Sequence, residues 1–137
     1  MKVLILDDNK GFADSMARIL NSRGHEALSL QSAEDALKVM RAGFRPDVRL
    51  VDMGVTDMRG DAFIRSMTDS WKLEQDPTRP ASPPPPVVAI TGMSSMEDVA
   101  TLPNGMEVLH KPVDPEVLIA RLEAAFGLMH PEKTSQE

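Results

Sequence analysis

The chain has 137 residues, 42% apolar and 26% charged, with a formal net charge of −6, which is enough for one folded domain with its own core. The acidic balance and the lack of a Lys/Arg cluster argue against a nucleic-acid surface, and the absence of cysteine excludes disulfides and thiolate metal sites. No apolar run is long enough to span a membrane, and the start MKVLILDDN is too brief for a signal-peptide core, so a cytoplasmic protein is expected.

The first element is a short apolar run, Lys2–Leu6, that reads as a buried strand and ends in Asp7-Asp8-Asn9. Phe12, Met16, Ile19 and Leu20 then recur at helical spacing, and Gly24 ends that helix. Residues 27–30 form a second strand candidate. Ser32 with Asp35 resembles a capping box opening a second helix that Gly43 closes. After the turn Arg45-Pro46-Asp47 comes the run VRLVD, a third strand delivering Asp52 into a loop that reaches Gly60. Arg49, inside that apolar run, reads as a side chain snorkelling at a sheet face. Ala62, Phe63 and Met67 mark a third helix running to Trp71.

Residues 72–86 hold six of the eleven prolines, four of them consecutive. Proline lacks the amide donor and fixes its own φ, so the segment reads as an enlarged surface loop with polyproline-II character, neither helix nor central strand. Docking of a proline-recognition domain is the sharper and rarer reading. Residues 87–90 give a fourth strand ending in Thr91-Gly92, and residues 95–101 allow only a short helix before Pro103. Residues 106–109 are the last strand, ending in Lys111-Pro112. Asp114 as N-cap and Pro115 at the first helical position start a final helix. The domain is expected over residues 1–129, with the proline-rich insertion at 72–86 and a polar tail at 130–137. Strand and helix alternate five times, the pattern of a doubly wound parallel α/β sheet.

Four strand ends thus carry polar groups: Asp7 and Asp8, Asp52, Thr91, and Lys111. In a parallel sheet the carboxyl ends of the strands share one edge, so these residues can meet in one crevice. Three carboxylates that close repel one another, and an ammonium or a hard divalent cation would keep them ionised; oxygen donors suit Mg2+. Asp52 would be a nucleophile for a phosphoryl group, with Thr91 donating a hydrogen bond and Lys111 neutralising charge. Taken singly, Asp7-Asp8 reads as a helix cap, Asp52 as a turn residue, Thr91 as a strand-ending residue and Lys111 as a solvated lysine. His25 and His110 read as surface residues, and the ten methionines chiefly as core fillers.

With Asp7-Asp8, Asp52 followed by Gly60, Thr91 after VVAI, and Lys111-Pro112 after VLH, the chain resembles a stand-alone receiver domain of two-component response regulators over nearly its whole length. The resemblance implies a flavodoxin-like fold of five parallel strands and five helices, and phosphotransfer from a histidine kinase or histidine phosphotransfer protein to Asp52. It implies that Asp8, Asp52 and the Gly54 carbonyl bind Mg2+, that Asp7 acts through water, and that the Lys111–Pro112 peptide is cis. Gly54 and Met93 fall where receivers tune access of water to the phosphoryl group. Two positions depart from the pattern: Thr56 stands where receivers usually have Pro, and Val108 where most have an aromatic switch residue. Phosphate acceptance is expected intact and its relay altered, with output through an unidentified downstream protein rather than through enzymatic turnover. The rival readings are a phosphate-independent interaction module on the same scaffold and, more remotely, a Mg2+-dependent phosphatase. The latter would need an acid/base aspartate just after the nucleophile, where Gly54 stands.

Overall fold

The computed structural model describes residues 1–54, 60–80, 84–92 and 107–129. Five strands form one sheet: β1 (Lys2–Leu6), β2 (Glu26–Leu30), β3 (Val48–Asp52), β4 (Val87–Thr91) and β5 (Glu107–His110). Every pairing is parallel and the spatial order is β2-β1-β3-β4-β5, the flavodoxin-like order. The helices among the described residues are α1 (Lys10–Ser22), α2 (Ala33–Arg41), α3 (Gly60–Glu74) and α4 (Pro115–Met129). The short helix expected at 95–101, the tail from residue 130, and the positions of Thr56 and Met93 lie outside the described residues.

Alternation along the strands divides the core in two. Val3, Ile5, Val48, Leu50, Val88 and Ile90 face α1 and α4, meeting Met16, Leu20, Leu118 and Leu122. Leu4, Leu6, Val51, Val87 and Ala89 face α2 and α3, meeting Ala36, Leu37, Phe63, Ile64 and Met67. With helices on both faces, β3 and β4 are buried at every position, which is why β4 reads as a continuous apolar run and β3 shows no alternation of apolar and exposed polar residues.

Local signals end the helices as their chemistry demands. The Asn9 carboxamide accepts the Phe12 N–H (3.1 Å) and caps α1; Ser32 accepts the Asp35 N–H (3.1 Å) and caps α2; Asp114 accepts the Glu116 N–H (2.8 Å) ahead of α4. Gly24 and Gly43 follow α1 and α2 with φ of 89° and 118°, a region that glycine enters without a Cβ penalty.

Three expectations are corrected. First, α3 does not stop at Trp71: Lys72, Leu73 and Glu74 complete its last turn, so helix enters the segment expected to be pure loop. Those three residues precede the first proline of the segment, Pro77, and none has a fixed φ. Second, Arg49 does not snorkel; it is 3% exposed, between α2 and α3. Its Nη1 donates to Met67 Sδ (3.3 Å) and its Nη2 to the Pro85 carbonyl, while its backbone N–H donates to the Pro86 carbonyl (3.0 Å). The proline-rich insertion is therefore fastened where it enters β4. Third, His25 is half-buried and has partners: the N-terminal ammonium lies 3.0 Å from Nδ1 and Glu123 3.5 Å from Nε2.

Candidate functional site

Sheet order alone brings the acids together. β1 and β3 are neighbours, and the chain leaves them toward opposite sides of the sheet, opening a crevice at their carboxyl ends. Asp7 follows β1 and is fully buried; Asp52 ends β3 and is 3% exposed; Asp8 stands beside them at the surface. One carboxylate oxygen from each of the three lies within 4.8 Å of the others. Asn9, rather than either aspartate, does the capping of α1, so both acids stay available.

The two buried carboxylates are each aimed by a backbone amide two residues on. Asn9 N–H donates to Asp7 Oδ1 and Gly54 N–H to Asp52 Oδ1, both at 2.9 Å. The second oxygen of Asp52 receives the Lys111 ammonium at 3.0 Å, and the same ammonium is 4.0 Å from Asp7 Oδ2. Lys111 is held there through its own backbone, whose N–H donates to the Thr91 carbonyl (2.8 Å) just beyond the β4–β5 pairing. The Lys111–Pro112 peptide is cis, as the resemblance implied.

The electrostatics follow from this crowding. Burial pushes the Asp7 carboxyl from 3.8 up to about 6; the Asn9 amide opposes the rise and the neighbouring Asp52 charge adds to it. Burial alone would lower the Lys111 ammonium, but the hydrogen bond and charge of Asp52, with the charges of Asp7 and Asp8, outweigh it and leave the group raised. Asp7 Oδ2 is buried without a hydrogen-bond partner. Among the described residues its nearest cation is the Lys111 ammonium at 4.0 Å, and the three carboxylates together make a hard-oxygen donor set that fits a divalent cation.

The residues singled out in the sequence divide clearly. Asp7, Asp8, Asp52 and Lys111 are brought together, with the Gly54 amide on Asp52. Thr91 sits fully buried at the end of the adjoining strand, its hydroxyl directed at the Gly92 carbonyl (2.9 Å) rather than at Asp52. Val108, on β5, packs partly buried against the core under α2 and α3. Met93 falls outside the described residues. Sequence reasoning missed Asn9 as the cap of α1; an Asn standing before the helical periodicity was the available signal.

The model of the response regulator receiver domain matches residues 3–123. Protein Rrf1 of Nitratidesulfovibrio vulgaris is 26% identical over 126 residues, covering 92% of this chain and 83% of that protein. The cell cycle response regulator CtrA of Brucella ovis is also 26% identical, over 90% of this chain but only 49% of its own length. A solved CheY-like response regulator receiver domain protein from Methanospirillum hungatei JF-1 superposes with a TM-score of 0.74 at 26% identity, covering 96% of this chain and 97% of that one. The parallel five-stranded sheet agrees with that match, and the chain belongs to the response regulator receiver domain family, the regulatory module of two-component signalling.

Proposed function

We propose that Asp52 is the phosphoacceptor and that phosphorylation there controls protein–protein contacts. The observation that supports this most directly is the Asp52 carboxylate held between the Gly54 amide at 2.9 Å and the Lys111 ammonium at 3.0 Å, with Asp7 and Asp8 alongside. A phosphohistidine on a histidine kinase or phosphotransfer protein is the donor. An Asp52 oxygen attacks phosphorus in line, the P–N bond to imidazole breaks, and the leaving imidazole retains or takes up a proton. The Lys111 ammonium neutralises charge on the transferring oxygens. The Thr91 hydroxyl turns from Gly92 to a phosphoryl oxygen once that acceptor exists.

Asp8, Asp52 and the Gly54 carbonyl would hold Mg2+, with Asp7 beside them; the Asp7 oxygen without a hydrogen bond and the all-oxygen donor set favour that ion. When bound, it supplies positive charge that offsets both the acid cluster and the incoming phosphate. Added charge at Asp52 then biases the loops carrying Thr91 and Lys111 between two arrangements, and a downstream protein reads the difference.

The test is incubation with a small phosphoramidate or acetyl phosphate and Mg2+, followed by intact-mass measurement. One added phosphoryl group is expected, absent in Asp52→Ala; an undiminished adduct in that variant overturns the assignment.

A second reading, a phosphate-independent interaction module, is favoured by one observation. Val108 is an aliphatic residue, tucked partly against the core, at the position of the usual aromatic switch. Partner capture compared between wild type and Asp52→Asn, with and without beryllofluoride, separates the two: equal capture in all arms supports the module.

A further inference from the structure

At the end of the sheet opposite the acidic crevice, Arg49 stands in a place where a charge is costly. The residue is 3% exposed, at the second position of the central strand β3. Two of its nitrogens have weak or neutral acceptors, Met67 Sδ and the Pro85 carbonyl, and Nε has none. Among the described residues no carboxylate pairs with it. Burial draws the guanidinium down to about 10, which still leaves it cationic at neutral pH. Native proteins compensate buried charges with partners of opposite sign, and a lone buried cation is destabilising.

That side chain lines a cavity of about 40 Å³ between α2, α3 and the strand-proximal prolines. Its walls are apolar, with Leu37, Met40, Phe44, Met67 and Trp71, and its rim adds two more cations, Arg41 and Arg45. The volume suits a head group of a few heavy atoms, not a whole drug-sized molecule. Among the described residues that line it, the charged ones are arginines and the rest are apolar.

We infer that this cavity is a second ligand site, in which Arg49 receives a carboxylate whose apolar body lies along Phe44 and Trp71. A carboxylate entering the cavity would exchange the neutral acceptors Met67 Sδ and the Pro85 carbonyl for a charged one and supply the missing negative charge. The site lies three residues upstream of Asp52 on β3, so its occupant meets the same strand that carries the phosphoacceptor. The carboxylate can come from a free small molecule or from an acidic side chain of another protein.

Trp71 is the only tryptophan of the chain and lines the cavity, so its emission reads occupancy directly. The protein is titrated with hexanoate, with hexanamide, and with a blocked peptide carrying Glu or Gln, sodium chloride serving as the ionic control. Saturable change with hexanoate, at about ten- to hundredfold lower concentration than with hexanamide, supports a small-molecule ligand. Saturation with the Glu peptide but with neither the Gln peptide nor hexanoate supports the same site filled by a protein carboxylate. Either response must disappear in Arg49→Met, whose retained circular dichroism is checked first. Replacing a buried charge by an isosteric apolar side chain is commonly tolerated. Should that variant not fold, the acid-against-amide comparison on wild type decides alone. Equal response to acid and amide, no saturation with any carboxylate, or an unchanged response in folded Arg49→Met overturns the inference and leaves Arg49 as an anchor for Pro85.

Discussion

Replacing Asp7 by Asn in metal-free protein should raise stability at neutral pH. The amide keeps the one hydrogen bond Asp7 makes through Oδ1, to the Asn9 N–H at 2.9 Å, and changes only the bare, buried Oδ2. What it removes is an ionisation that the folded state resists. The carboxyl rises from 3.8 to about 6, so the charge costs the native state on the order of 3 kcal/mol once it is fully formed. The sign follows from the direction of the rise. Because the folded-state value lies above the unfolded one, the stabilising contribution of the bound proton is complete below about 3.8 and is lost as pH climbs through about 6. Asp7→Asn escapes that loss. In EDTA, thermal melts at successive pH values should show the variant gaining on wild type between pH 4 and 6 and levelling off above, at roughly 10 °C for a domain of this size. A difference that does not change with pH, or an Asp7→Asn protein that melts below wild type at pH 8, would refute the reasoning.

Mg2+ at neutral pH should raise the melting temperature of wild type and, by a smaller amount, that of Asp7→Asn, which keeps Asp8 and Asp52; its affinity should weaken below about pH 6, where a proton competes for Asp7, and isothermal titration checks both. Lys111→Ala should still take up phosphate from a small donor, since Asp52 and the acids remain. Its amide chemical shifts should respond less to beryllofluoride, because the ammonium 3.0 Å from Asp52 is gone. Asn9→Ala removes the cap of α1 and should cost about 1 kcal/mol by urea unfolding, with no loss of the three-acid cluster. Leu50→Ala, fully buried in the central strand, should cost about 3 kcal/mol in the same assay.

The parts of the fold that were legible in the sequence are those written by local chemistry. Ser32, Asp114, Pro115, Gly24 and Gly43 mark helix ends by hydrogen bonding or φ preference, and all five act there as read. β1, β3 and β4 were legible because burial on both faces makes a strand uniformly apolar. The gathering of Asp7, Asp52 and Lys111 was legible only through the rule that parallel strands share an edge. Their distances depend on sheet order, which no single segment encodes. What stayed hidden was decided by tertiary partners. Arg49 looks like a surface arginine until the Pro85 carbonyl and Met67 are seen to enclose it. His25 gains its environment from the N-terminus and from Glu123, nearly a hundred residues away in the chain. The extra turn of α3 was masked by proximity to proline, though its three residues have no proline chemistry of their own.

The amine that balances the acids is borne by an edge of the sheet. β5 hydrogen-bonds to β4 alone, and its residues are half-covered or open to water, whereas β1 and β3, which supply the acids, sit inside. A brief detachment of that outer ribbon would carry Lys111 away while Asp7 and Asp52 stayed fixed, momentarily turning a neutralised cleft into a strongly anionic one. Amide exchange at residues 107–110 and the ionic state of the cleft should therefore rise and fall together.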